Sequence, residues 1–278
     1  MIKIAVLLTV FNRKEKTINS LNELYNSFKL FNLENKYAID VYLTDDGCTD
    51  GTSAEVQKNF PQVIILKSKG DLFWNRGMIN SWKEAAKKKY DFYIWLNDDT
   101  YLNKDAFNIL FKDYYSVDSK SIISGCTKSK INNATTYGGW LDGKILNPSS
   151  IPQSCTHMNG NFVLIPKVVF EVLGTMDPLF RHAGGDTDYS LRGIKNNINT
   201  YVTSDYIGFC ELHDSLQTCF NPSKSIADRF KHLYTPLGCN PLEYYIFDKR
   251  HNGILSACKH FISIHLRVLF PKLWLKNN

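Results

Sequence analysis

Residues 92–100 read Phe-Tyr-Ile-Trp-Leu-Asn-Asp-Asp-Thr. Five apolar residues in a row suit a strand covered on both faces, as in a parallel sheet. The predicted strand then runs straight into two adjacent carboxylates. That is a costly place for charge unless something positive binds there. The pattern repeats outward from this stretch. Residues 2–10 are another apolar run, broken only by Lys3 and Thr9. Asn12 is placed to cap a following helix whose face carries Ile18, Leu21, Leu24, Tyr25 and Phe28. Residues 38–44 predict a second strand, 52–59 a short helix, 63–66 a third strand and 75–89 a helix. Another helix near 104–115 follows the strand at 92–96. This β-α-β-α order predicts a layered α/β fold with a mainly parallel central sheet.

Past Ser121 the rhythm changes. Strand-like pieces at 121–126, 134–140 and 159–166 are separated by turn residues such as Asn132-Asn133 and Asn147-Pro148, which favours hairpins over crossovers. A helix is predicted over 186–196. Helices are expected again over 224–234 and 241–270. The expected organisation is a catalytic region over 1–220 and a helical C-terminal extension over 221–278.

Charge sharpens that division. The formal charge is +6, from 33 Lys+Arg against 27 Asp+Glu. Lys249, Arg250, Lys259, Arg267, Lys272 and Lys276 all fall after residue 248, with no Asp or Glu among them. The body is therefore neutral and the end is basic. A nucleic-acid binder is disfavoured, because its charge should follow a binding face. The seven cysteines form no CxxC pair and read as reduced thiols in a cytoplasmic setting. The N-terminal apolar run is short and lacks a small-residue cleavage site, so it reads as a strand rather than a signal peptide. No apolar stretch is long enough for a spanning helix.

Three acidic clusters stand at loop positions. Asp45-Asp46-Gly47-Cys48-Thr49-Asp50-Gly51-Thr52 ends the second strand. These are turn and cap residues, and a carboxylate there can also accept hydrogen bonds from a nucleotide. Asn97-Asp98-Asp99 ends the fourth strand; beside a turn, it reads as a hard-metal site, since Mg²⁺ or Mn²⁺ takes one or two carboxylates plus substrate phosphates. The third cluster, Gly184-Gly185-Asp186-Thr187-Asp188, opens a helix. There Asp complements the helix dipole, Asp188 can pair with Arg192, and a carboxylate can act as general base. In open α/β sheets ligands bind beyond the carboxyl ends of strands, where the first two clusters fall.

These motifs, in this order, resemble family 2 glycosyltransferases of the GT-A fold. The matching residues are Thr9-Val10-Phe11-Asn12-Arg13, the block at 45–52, Asn97-Asp98-Asp99-Thr100, and Gly185-Asp186-x-Asp188-Tyr189-x-Leu191-Arg192. The stretches Asp71–Met78 and Asn159–Pro166 are similar to bacterial surface-polysaccharide, rhamnosyltransferase-like members. The resemblance implies that Asp45 contacts a uracil or thymine ring, with Thr9, Phe11 and Arg13 lining the pocket. It implies donor contacts from Asp46, Asn75, Arg76, Asp98 and Gly160. Asp99 would hold a divalent cation, Mg²⁺ or Mn²⁺, at the donor diphosphate. Asn97 takes the first position of the family's DXD motif, where Asp is usual. His213 falls where many members place another metal or diphosphate ligand. Asp186 would be the catalytic base; the family commonly has Glu where this chain has Gly185. His182 and Asp188 are rival bases, Asp188 being better suited to ordering the helix through Arg192. Trp74 and Trp140 could stack on rings, but packing is the simpler role.

The implied activity is inverting, metal-dependent transfer of a sugar from a UDP- or dTDP-sugar. The acceptor would be a lipid-linked glycan in O-antigen or capsule synthesis at the cytoplasmic membrane face. No GxGxxG or GxxxxGK[ST] is present, which disfavours dinucleotide oxidoreductases and P-loop NTPases. A sugar nucleotidylyltransferase would need a Gly-rich loop where Val10-Phe11-Asn12-Arg13 stands. A non-catalytic sugar or nucleotide binder is the rival of another class. For the basic end, one reading is a helix packed on the catalytic region with a solvated basic edge. The other is an interfacial helix meeting anionic headgroups.

Overall fold

The computed structural model describes residues 1–212 and 216–274. Its first half follows the predicted alternation: β1 (Ile2–Val10), α1 (Lys14–Phe31), β2 (Tyr37–Asp45), α2 (Thr52–Asn59), β3 (Ile64–Lys67), α3 (Phe73–Ala85) and β4 (Phe92–Leu96). Next come β5 (Tyr101–Leu102), α4 (Ala106–Ser116) and β6 (Ile122–Lys128). Then follow β7 (Thr135–Tyr137), β8 (Gly139–Leu141), β9 (Lys144–Ile145), β10 (Gln153–Cys155), β11 (His157–Met158) and β12 (Phe162–Pro166). The chain continues with α5 (Lys167–Leu173), α6 (Gly185–Lys195), β13 (Thr200–Phe209), α7 (Ile226–Leu233), α8 (Pro241–His251) and α9 (Ile254–Leu269).

The main sheet runs β10-β13-β6-β12-β4-β1-β2-β3, with β5 and β7 added along its flank. β1 is parallel to β2 and β4, and β2 to β3. β12 lies antiparallel between β4 and β6, so its start meets the end of β4, Phe162 opposite Leu96. β8 and β9 form the expected kind of hairpin in a separate small sheet with β11. The 159–166 piece instead enters the middle of the main sheet.

Side chains of β1 show why residues 4–8 are apolar without a break. Ile4, Val6, Leu8 and Val10 join one core with Leu21 and Leu24 of α1, Val56 of α2 and Phe107 of α4. Ala5 and Leu7 point the other way, into a core with Met78 and Trp82 of α3, Val169 of α5 and Tyr189 of α6. Alternate residues of a strand face opposite sides, so a strand between two helical layers cannot spare a polar position.

Several expectations are corrected. Strand β13 has no counterpart in the sequence reading. Its polar stretch Thr203-Ser204-Asp205 hides the pattern, and its pairing with β6 shifts register between Val202 and Tyr206 and again before Gly208. A bulge of that kind breaks the two-residue period. Helix α5 is also additional. Helix α3 begins earlier than predicted and stops at Ala85, leaving Lys87-Lys88-Lys89 outside it. The helix expected over 241–270 is two helices, because Gly253 at φ 87° follows Asn252 and ends α8.

Packing divides the chain into two units. One comprises 1–178 and 185–212; the other comprises 179–184 with the residues beyond 212. In the second, Cys219, Leu233, Ile264 and Val268 form a small core. Arg181 ties the 179–184 segment to α8 through its Nε and the Glu243 carboxylate at 2.6 Å.

Candidate active site

Because β1, β2 and β4 are parallel, their carboxyl ends fall on one edge of the sheet. Val10 pairs with Asp45, and the Asp46 N–H donates to the Val10 carbonyl at 3.0 Å. Asp45 is 4% exposed. Its Oδ1 accepts the Cys48 N–H at 2.7 Å and its Oδ2 the Ser53 hydroxyl. Burial pushes its carboxyl upward, but those donors and the charge of Lys67 outweigh it and hold the group below the ordinary value. Asp46 accepts the N–H groups of Leu72 at 3.1 Å and Phe73 at 2.8 Å, and the Ser68 hydroxyl. It thereby pins the 68–73 loop at the start of α3, where Phe73 sits at φ 58°. Gly47 and Gly70 both have positive φ, and a Cβ on Gly47 would lie 2.9 Å from Gly70 backbone. The turn reading of this motif is realised, and Asp50 accepts the Thr52 N–H at 3.0 Å where α2 begins, while the N-cap position itself is Gly51. Phe11, 54% exposed, stands beside Gly70 on the same edge. Thr9 lies against α3, whose Gly77 leaves it room: a Cβ there would come within 2.1 Å of the Thr9 hydroxyl.

Asn12 does not cap α1. At φ 51° its Oδ1 accepts the N–H groups of Thr49 at 2.7 Å and Asp50 at 3.3 Å. Asp50 in turn accepts the Lys14 N–H at 3.0 Å, so each loop closes the other's turn. Arg13 is thus held at the edge. Its Nη1 donates to Asp98 Oδ1 at 3.0 Å and to Asp99 Oδ2 at 2.9 Å. Asp98 is 5% exposed, and its Oδ2 is buried with no hydrogen-bond partner. Burial pushes the Asp98 carboxyl up to about 6, against the pull of Arg13. Asp99 Oδ1 accepts the Cys210 thiol at 3.7 Å. Asn97 is engaged elsewhere: its Oδ1 accepts the Trp74 indole N–H at 2.7 Å. Trp74 also packs edge-on against Trp95. Trp140 stacks on His157 and donates to Asn159. Both tryptophans thus make packing contacts within the fold.

The start of β12 brings in the third cluster. The Gly160 N–H donates to Asp186 Oδ2 at 3.0 Å, and the Thr187 N–H to Asp186 Oδ1 at 2.8 Å. Burial nevertheless raises the Asp186 carboxyl above its ordinary value, the two N–H donors only partly opposing it. Gly160 lies against Trp74, since a Cβ there would come within 2.6 Å of the indole. Asp188 is fully buried and pairs with Arg192 Nε at 2.9 Å, while Arg192 donates to the Leu173 and Thr175 carbonyls. It braces the helix and is spent on that task. His182 belongs to the second unit. Arg76 donates to the Pro178 carbonyl at 2.8 Å.

Gly185 has a specific reason to be glycine. Asn75 is buried and donates to the Asp177 carbonyl at 2.9 Å. A Cβ on Gly185 would lie 2.0 Å from Asn75 Oδ1. Asn75 fills the space that a larger residue would need. Gly185→Ala is therefore expected to destabilise the fold by about 1–3 kcal/mol, as overpacking does. Adding Asn75→Ala should recover part of that loss. Denaturant midpoints of the two single variants and the double variant check this, and strict additivity would refute the coupling.

The structure thus gathers Thr9, Phe11, Arg13, Asp45, Asp46, Asp98, Asp99, Gly160 and Asp186 at one edge, with Asn75 and Arg76 on the adjoining helix. His213 lies outside the described residues. Among the described residues, no group of three or more His, Cys, Asp or Glu side chains could hold a metal ion. Cys210 was not singled out by sequence reasoning, and Asn12 was read as a helix cap rather than as the loop tie it is. That role of Asn12 was open to inference, because Asn tolerates the left-handed conformation and bonds local backbone. Nothing local marks Cys210; only the fold brings it to Asp99.

The sequence model described as glycosyl transferase family 2 matches residues 5–174. The chain belongs to that family. Among solved structures, this glycosyltransferase resembles S. aureus TarS 1-349, at 12% identity and a TM-score of 0.53, over 99% of this chain and 73% of that one. The complex of the same TarS fragment with UDP-GlcNAc gives a TM-score of 0.54. The mannosyltransferase PcManGT from Pyrobaculum calidifontis, in complex with GDP-Man and Mn²⁺, is 13% identical with a TM-score of 0.53, over 98% and 74% of the two chains. At such identities the likeness shows the GT-A fold and nothing finer. No curated protein matches the sequence. No helix among the described residues of the glycosyltransferase is long and apolar enough to cross a membrane.

Proposed function

We propose that this glycosyltransferase moves a sugar from a UDP- or dTDP-sugar to a hydroxyl of a lipid-linked glycan, with inversion and with a divalent cation. The product would serve bacterial surface polysaccharide, O-antigen or capsule. The observation that carries the reading is the carboxylate of Asp186. It is held by the Gly160 N–H, at the sheet edge where Arg13 meets Asp98 and Asp99. Glycosyl transfer needs two things: stabilisation of a departing diphosphate and removal of a proton from the attacking hydroxyl. Arg13 supplies fixed positive charge for the first. Asp186 supplies a base for the second, with its basicity raised by burial.

The donor set at the edge fits a hard divalent cation. Two adjacent carboxylates are present, and one oxygen of Asp98 is buried without a partner. Such a cation usually takes one or two carboxylates and completes its shell with substrate phosphates. Asp99 and Asp98 would hold it, and His213 is a further candidate. Bound there, it offsets charge building on the leaving group. Asn97, committed to Trp74, leaves the metal contact to the aspartates. Asp45, Thr9 and Phe11 would face the base, and Asp46 shapes the loop around it. The basic extension over 221–278 would rest on the cytoplasmic face of the membrane, where lipid-linked acceptors reside.

The test is a screen of nucleotide sugars with lipid-linked acceptors, with mass analysis of the product. The expected result is an acceptor heavier by one sugar and free nucleoside diphosphate. A chain that bound donors and turned over none would be the non-catalytic binder. The base assignment also predicts a pH profile. A raised pKa means that Asp186 takes up a proton at higher pH than an ordinary aspartate, whose pKa is about 3.9. At saturating donor and cation, kcat should fall about tenfold per pH unit below that raised pKa. A kcat that stays level down to the ordinary aspartate range would remove Asp186 from this role.

A further inference from the structure

Arg229, in α7, is only 6% exposed, yet its Nε and Nη1 are buried with no hydrogen-bond partner. A guanidinium carries five N–H donors and is always charged. Buried charges are normally paired, because desolvation is costly otherwise. The group borders a cavity of about 340 Å³ whose walls include Leu269, Phe270, Pro271, Lys272 and Leu273. One further cation and several apolar side chains thus share the wall with it. At the rim, Phe270 is 54% exposed and Leu273 76%, with Trp274 next to them at 44%. No acidic residue occurs after Asp248 to compete for Arg229 from this part of the chain.

A cationic wall inside an apolar rim suits an anion attached to a hydrocarbon chain. A free anion needs only the cations; the exposed Phe270, Leu273 and Trp274 need the chain. We infer that this cavity binds the phosphate head of an anionic membrane phospholipid, with Arg229 and Lys272 on the phosphate and Phe270 and Leu273 against the acyl chain. The inference rests on the membrane-face reading above and makes it specific to one pocket. It adds a lipid site that is independent of the donor chemistry.

The test is co-sedimentation of the full chain, without donor, on vesicles of phosphatidylglycerol mixed with phosphatidylcholine or of phosphatidylcholine alone. Because donor is absent, failure here and failure of the transferase reading are separate results. Wild type should partition to the anionic vesicles. Arg229→Gln should lower that partition by about tenfold or more, as loss of a charged hydrogen-bonding partner does. Lys259→Gln removes the same charge from an exposed site and should cost only a few-fold. Leu273→Asp, on the exposed rim and no threat to the fold, should also lose binding. Equal losses for Arg229→Gln and Lys259→Gln, or full binding by Leu273→Asp, would overturn the pocket. Inorganic phosphate is the control for a free-anion site. A phosphate-dependent rise in the melting temperature of wild type, absent from Arg229→Gln and without vesicle preference, would assign the cavity to free phosphate and overturn the lipid.

Discussion

Replacing Asp186 with Asn is expected to lower the transfer rate by about 10²–10⁴-fold, the usual contribution of a positioned general base. Donor binding should stay within a few-fold of wild type. The substitution is close to isosteric, and Asn Oδ1 can still accept one of the N–H groups of Gly160 and Thr187 that now bind the carboxylate. What is lost is the ability to take up a proton. Single-turnover rates and donor titrations on the same preparation separate the two effects. Full activity in Asp186→Asn would move the base elsewhere. Asp188 is the poorest substitute, since it is buried and committed to Arg192.

The second large effect is expected at Asp99. Asp99→Ala should raise the requirements for cation and donor together, by at least about 10²-fold in cation affinity. Even partners one shell further out typically contribute 10–100-fold. The structure adds a reason to expect both to move. Arg13 bridges Asp98 and Asp99, so removing one carboxylate leaves the guanidinium free to pair with Asp98 alone. The cation then meets one aspartate that is already paired. Activity titrated with Mn²⁺ at several donor concentrations reads this. An unchanged cation dependence would refute Asp99 as a ligand.

The order of strands and helices through residue 116 was legible because the strands of the parallel core carry apolar runs buried on both faces. Two of the acidic clusters were legible because they interrupt those runs at carboxyl ends, and the third because it opens the helix at Gly185. What stayed hidden has physical causes. β13 carries Thr203-Ser204-Asp205 in mid-strand, where the Thr203 hydroxyl accepts the Cys126 N–H and Asp113 takes the Ser204 N–H. Thr203 and Ser204 thus find partners far away in sequence, so the local pattern misleads. The roles of Asn97 and Gly185 were hidden for the same reason. Asn97 departs from the family's usual Asp and its oxygen serves Trp74; Gly185 departs from the usual Glu and Asn75 stands in the space. Each departure depends on a residue of α3 that is about 20 or 110 positions away in the chain, a separation typical of tertiary contacts rather than local pattern. Asn12 shows the converse, a cap residue whose side chain serves a neighbouring loop instead of its own helix.

Turnover of a nucleotide sugar at the edge formed by Arg13, Asp98, Asp99 and Asp186 is read most directly as release of nucleoside diphosphate from a bound UDP- or dTDP-sugar, with Mn²⁺ and after its removal by chelation. Release is expected with the cation and lost without it. Binding of the nucleotide sugar with no release under either condition would contradict that turnover.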